Sequence, residues 1–143
     1  VVAHVSLITL GVRDLDRATR FYEAIGWRRS TASVDGKVTF LRGGAVALSL
    51  FGRDDLAAEA GVATGSGDGT SVALAMNLAS AEAVDEALAA AARAGATITR
   101  SAQRAEWGGY SGYFTDVDGH LWEVAYNPGF GLQADGRVHL PDE

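Results

Sequence analysis

Tyr110-Ser111-Gly112-Tyr113-Phe114-Thr115-Asp116-Val117-Asp118-Gly119-His120-Leu121-Trp122-Glu123-Val124-Ala125-Tyr126 is the stretch that decides the fold. Tyr110–Thr115 and His120–Tyr126 read as strands, and Asp116–Gly119 is a turn that closes them into a hairpin. Side chains alternate along a strand, so Trp122, Val124 and Tyr126 share a face that packs on a helix. Leu121, Glu123 and Ala125 share the other. Working toward the N-terminus, Ala96–Ser101 is a short strand and Gly95 ends a helix. Ser80 caps that helix, and Ala81, Val84, Leu88 and Ala91 mark its apolar stripe. Thr70–Asn77 supplies one more strand, so this half is β-α-β-β-β.

The same order appears earlier in the chain. Val1–Leu10 is strand-like, with Val5, Leu7 and Thr9 on one face and His4, Ser6 and Ile8 on the other. Asp14 is a helix N-cap, Leu15, Ala18, Tyr22 and Ile25 form a stripe widened by Phe21, and Gly26 stands just past the helix end. Three strand-like runs follow, Trp27–Val34, Lys37–Leu41 and Ala45–Phe51. Helix positions repeat at an offset of 66 residues, whereas the closing hairpins match at 75, with Gly44 opposite Gly119 and Leu48 opposite Glu123. Gly61–Gly69 reads as a flexible connector, and Asp54–Ala60 as a short helical turn before it. The pattern predicts one domain over residues 1–143, with modules at 4–51 and 70–127, a linker at 52–69 and a tail at 128–143. The expected fold class is α+β, a curved, cup-like mixed sheet with helices on its outer face and a cavity between the modules.

Composition limits the function. The 143 residues carry 12 Lys plus Arg against 18 Asp plus Glu, a net charge of −6, which gives no basic surface for nucleic acid. No Cys is present, which removes thiolate zinc sites and cysteine nucleophiles and suits a reducing compartment. No run approaches the ~20 apolar residues that span a bilayer, and Val1–Leu10 lacks the basic start of a signal peptide. The expectation is a cytoplasmic protein with no membrane partner.

With paired β-α-β-β-β modules, Val12-Arg13-Asp14-Leu15-Asp16-Arg17-Ala18 followed by Phe21-Tyr22, and Asp116-Val117-Asp118-Gly119-His120-Leu121-Trp122-Glu123, the chain resembles the vicinal oxygen chelate superfamily over about residues 4–127. That superfamily comprises glyoxalases, extradiol dioxygenases and bleomycin resistance proteins. The resemblance implies four positions for one divalent ion: Leu7, Leu48, Ser71 or Ala73, and Glu123. Only Glu123 has a ligand-type side chain, and a catalytic ion needs about three protein ligands. No cofactor is therefore expected, a divalent metal being retained only in the alternative reading.

Without a metal, the expected ligand-binding set is Leu7, Thr9, Leu48, Ala73, Trp107, Tyr110, Tyr113 and Glu123. Seven of the twelve aromatics fall between Trp107 and Phe130. Trp107–Tyr113, with three glycines, reads either as a stacking lid for a planar ligand or as a loop that packs its aromatics on the other half or a dimer mate. Glu123 is a candidate general base or ligand anchor. Burial among small neighbours would raise its pKa unless a donor such as Tyr113, Asn77 or Ser71 reaches it. Arg100 and Arg104 flank the approach to the Trp107 loop, where an acidic ligand could meet them. Three functions compete: a metal-independent binder of an aromatic or amphipathic small molecule; a glyoxalase- or dioxygenase-like enzyme using a divalent metal or Glu123; and a scaffold whose interior is filled by its own side chains. The resemblance also implies a homodimer.

Overall fold

The computed structural model describes Val5 and residues 7–60, 72–106 and 108–139. The chain divides into two compact units, Val1–Gly69 and Thr70–Glu143.

In the first unit, β1 (Leu7–Val12) leads into α1 (Leu15–Ala24), followed by β2 (Arg28–Arg29), β3 (Val38–Arg42), β4 (Ala47–Gly52) and α2 (Arg53–Ala60). Asp14 is extended at φ −134°, ψ 107°, and its carboxylate accepts from the Arg17 N–H at 3.1 Å, satisfying one of the free donors of the first turn. Gly26 at φ +109° releases the chain from α1. The sheet runs β1-β4-β3-β2, with β4 parallel to β1 and antiparallel to β3. Leu10, Val12, Leu41, Leu48 and Leu50 meet Ala18, Phe21 and Tyr22 of α1 in a buried core. Within that core the Thr19 and Thr39 hydroxyls bond to one another at 2.8 Å.

Two expectations change here. The strand foreseen over Trp27–Val34 shrinks to Arg28–Arg29, because the Ser33 hydroxyl takes the Phe40 N–H at 2.9 Å where a strand backbone would have done so. The short turn foreseen at Asp54–Ala60 is a two-turn helix against β1 and β4. Gly11 makes room for it, since a Cβ there would lie 3.2 Å from the Arg53 Cβ. Gly11 alternates with Leu10 and Val12, so α2 lies across the sheet from α1.

In the second unit, β5 (Leu74–Asn77) precedes α3 (Ala81–Ala94), β6 (Thr97–Arg104), β7 (Tyr110–Thr115) and β8 (Leu121–Tyr126). A small hairpin of β9 (Gly131–Leu132) and β10 (Val138–His139) stands in the stretch read as a tail. Ser80 caps α3 through the Ala83 N–H at 3.1 Å, and Gly95 closes it in the left-handed conformation at φ +113°. The sheet order is β5-β8-β7-β6, with β5 and β8 parallel. Val84, Leu88 and Ala91 of α3 are buried, as are Phe114, Trp122 and Val124 of the sheet. Phe114 and Trp122 are cross-strand partners whose rings stack 6.1 Å apart at 4°. The β7–β8 turn is held by Asp116, whose buried carboxylate accepts from the backbone of Asp118 (2.9 Å) and His120 (2.8 Å) and pairs with His120 Nδ1 at 2.8 Å.

The α+β class and the sheet-and-helix modules stand, but the curved, cup-like sheet does not. The strands form two separate open four-stranded sheets, and neither is closed or strongly curled. Each ends on strands that do not pair with one another, β1 and β2 in one and β5 and β6 in the other. Four strands turning about 20–25° from neighbour to neighbour are too few to close. Among the described residues no helix is long and apolar enough to cross a membrane.

Candidate functional site

The chemistry gathers on the face of the second sheet opposite α3. Trp122 and Val124 point into the core, so Glu123 between them points away. On β7 the residue directly opposite Glu123 is Tyr113, whose phenol is close enough to the Glu123 carboxylate to feel its charge. Burial raises the Tyr113 pKa, the Glu123 charge raises it further, and the Arg100 charge opposes them. On the other flank of Glu123, β5 places Ala75, which is exposed. Glu123 thus has a phenol on one flank and only a methyl group on the other.

A third strand completes the row. In β6, Ile98 lies opposite Phe114 but Arg100 lies opposite Tyr113, so two residues of β6 span one of β7. This β-bulge turns Arg100 onto the face of Glu123, where plain alternation would have put Thr99. The Arg100 guanidinium lies 5.0 Å from the Tyr113 ring centroid. Its Nη2 donates to the Ser111 carbonyl at 2.7 Å and hydroxyl at 2.8 Å. Its Nε is buried without a partner. The face thus carries a carboxylate, a phenol, a fixed cation and a hydroxyl beside small side chains, which can bind and orient a polar small molecule and accept a proton at Glu123.

The other anticipated residues scatter. Leu7 and Thr9 lie exposed on the α1-free face of the first sheet. Leu48 does not join them, for the register pairs it with Ile8 and buries it under α1. By register the counterpart of Glu123 is Ser49: Thr9–Ser49–Phe40 in the first sheet matches Ala75–Glu123–Tyr113 in the second. The β3–β4 loop has four residues, 43–46, and the β7–β8 loop five, 116–120, so aligning their glycines shifts the count by one. Ala73 is exposed just ahead of β5. Tyr110 lies on the α3 side of its sheet, with its hydroxyl donating to Asp85 Oδ1 at 2.6 Å. That hydrogen bond raises its pKa and keeps it away from Glu123. Trp107 and Ser71 fall outside the described residues. Ser111 stands outside the anticipated set, and Arg100 was anticipated only as a flank of the Trp107 loop that an acidic ligand could meet; the bulge that brings it into this row leaves no trace in period-2 alternation.

The divalent ion implied by the resemblance does not fit this donor set. Leu7, Leu48 and Ala73 offer no ligand atom and Ser49 offers a hydroxyl, which leaves Glu123 as the one carboxylate of the set. Among the described residues no three of His, Cys, Asp or Glu come together as a metal site. In the first unit an open hollow of about 490 Å³ is lined by Val12, Arg13, Gly52, Arg53, Asp54 and Asp55.

Comparison with known proteins agrees with this architecture. Residues 2–124 match the family model described as Glyoxalase/Bleomycin resistance protein/Dioxygenase superfamily. The chain is similar to a glyoxalase-related enzyme from Fulvimarina pelagi, at 34% identity and a TM-score of 0.87, over 97% of this chain and 99% of the other. It is also similar to a glyoxalase/bleomycin resistance protein/dioxygenase family enzyme from Burkholderia phytofirmans PsJN, at 18% identity, TM-score 0.79, 87% and 98% coverage. A third is the genomically encoded fosfomycin resistance protein FosX from Listeria monocytogenes, at 25% identity, TM-score 0.70, 89% and 95% coverage. No curated protein sequence matches the chain significantly. The chain belongs to the Glyoxalase/Bleomycin resistance protein/Dioxygenase superfamily.

Proposed function

We propose, with that membership as the premise, that the chain is a metal-independent small-molecule-binding protein whose ligand lies on the α3-free face of the second sheet, against Glu123. The observation that carries this reading is the row Ala75–Glu123–Tyr113, a carboxylate with a phenol directly opposite on one side and an exposed methyl group on the other. The superfamily fold accommodates small molecules, and the relative named for fosfomycin resistance is in keeping with such a role. Glu123 accepts from a hydroxyl or ammonium of the ligand, and the Tyr113 ring gives the aromatic or apolar part a flat surface.

A hydrogen bond to a charged group is worth about 1.5–3 kcal/mol, so Glu123→Gln weakens binding about 10–100-fold. The test is calorimetric titration of a panel of aromatic amines and alcohols into wild type and Glu123→Gln, with elemental analysis of protein purified without chelator. No binding across the panel, equal binding by the variant, or a stoichiometric transition metal would each overturn the reading. A second reading, Glu123 as general base of an enzyme, is favoured by the same cross-strand pairing, which sets a phenol beside the carboxylate. There, Glu123→Gln abolishes turnover while retaining measurable binding.

A further inference from the structure

We infer that Arg100 sets the chemical class of the ligand, which carries an oxyanion toward Arg100 and a hydrogen-bond donor toward Glu123. This rests on the placement of the ligand proposed above and goes beyond it. The first support is the backbone. β6 slips out of register twice, between Ile98 and Arg100 and again between Arg100 and Gln103. The first slip alone brings a guanidinium to the row of Tyr113 and Glu123. Bulges concentrate where a side chain has to be re-aimed beside a site.

The second support is how the guanidinium is held. Nη2 is spent on Ser111, the central carbon of the group lies over the Tyr113 ring at 5.0 Å, and Nε is sealed in without an acceptor. Native proteins leave few buried donors unsatisfied, so an arrangement that does so is retained for something other than stability. Nη1 is not among the buried atoms and makes no hydrogen bond within the described residues. It is the edge from which a guanidinium receives a carboxylate, phosphate or phosphonate oxygen.

The third support is charge. Arg29 and Arg137 each have an aspartate at 2.8 Å, whereas Arg100 forms no ion pair among the described residues. Glu123 lies in the same row, yet Tyr113 stands between the two on the intervening strand. Two strand spacings, about 10 Å of sheet, separate the backbones that carry the opposite charges. The two side chains therefore stay apart as a positive and a negative pole across an aromatic ring. The matching ligand has the same layout: an amino or hydroxy acid whose two polar ends flank an apolar or aromatic middle.

The probes are 4-(aminomethyl)benzoate, benzoate and benzylamine, titrated calorimetrically into the full chain and into Arg100→Gln, Arg100→Lys and Glu123→Gln, each checked by thermal melting. Wild type is expected to bind the two-ended probe at least tenfold more tightly than either single-ended one. Arg100→Gln reduces the two-ended probe to the level at which the same variant binds benzylamine. Arg100→Lys, which keeps the charge and loses the fork, falls between. If Arg100→Gln binds the two-ended probe as wild type does while Glu123→Gln weakens it, the role of Arg100 is refuted and the ligand placement stands. If Glu123→Gln weakens nothing, or no probe binds, the placement fails and the inference fails with it.

Discussion

Gly112→Ala is the substitution that most directly tests how the site is supported. Gly112 lies on β7 between Ser111 and Tyr113, facing α3. A Cβ at this position would stand 2.6 Å from Leu88 Cδ1, and 3.1 Å from both the Ala102 nitrogen and the Arg100 carbonyl oxygen. Gly112 is not among the glycines with positive φ, so the cost is steric and not torsional. Carbon atoms pack at about 3.5–4.0 Å, which makes the Leu88 overlap about 1 Å. Leu88 is 7% exposed and has no solvent to retreat into, while the other two contacts are backbone atoms of the bulged strand. Overpacking of this kind costs about 1–3 kcal/mol. The lower chain entropy of Ala recovers about 0.5–1 kcal/mol, and the middle of the two ranges leaves a net loss of about 1.2 kcal/mol. At about 4 °C per kcal/mol for a chain of this size, Tm falls by about 5 °C. Thermal and urea denaturation followed by circular dichroism measure this, and repeating the substitution on Leu88→Ala should remove about half of the cost. A Gly112→Ala protein as stable as wild type would refute the close approach of α3, β7 and the bulge.

In the first unit, Thr19→Val or Thr39→Val leaves the partner hydroxyl buried alone and costs about 1–3 kcal/mol; the double variant should return to within about 1 kcal/mol of wild type. Urea denaturation checks it, and additive losses would refute the pairing. Tyr113 binds its phenolic proton more tightly in the folded than in the unfolded chain, because its pKa is raised from 10.0 by burial first and then by Glu123. Its contribution to stability is complete below pH 10 and is lost as pH climbs through the raised folded value. Tyr113→Phe should flatten that decline between pH about 9 and about 11, read by urea melts alongside phenolate absorbance. Equal declines in the two proteins would count against the environment assigned to Tyr113.

What the sequence made legible was local and periodic. Asp14 and Ser80 announce α1 and α3 because a short polar side chain ahead of an amphipathic stripe has one good use, and Gly26 and Gly95 announce their ends through positive φ. Glu123 was placed on the correct face of β8 because Trp122 and Val124, one step either side, are too apolar to face anywhere but the core. Register was harder to read. Leu48 was paired with Glu123 by matching two glycine turns that differ in length by one residue, and a shift of one reverses every side chain of a strand. Tyr110 and Tyr113 looked equivalent in a run of aromatics, although they are three apart on a strand and face opposite ways. Arg100 was named as a residue that an acidic ligand could meet, but its place in the row of Tyr113 and Glu123 was hidden for a deeper reason. Its placement depends on two residues of β6 sharing one partner on β7, a relation between strands that no single stretch of sequence records.

The slips in β6 have a consequence at high concentration. β6 is the outermost strand of its sheet, and a regular outer strand is a template on which an exposed strand from another molecule can add and begin a fibril. Two breaks in the spacing of its outward amides and carbonyls deny such a strand a continuous ladder. Straightening β6 by deleting one residue between Ile98 and Arg100 should therefore yield a protein that precipitates on concentration, with thioflavin-positive deposits as the sign.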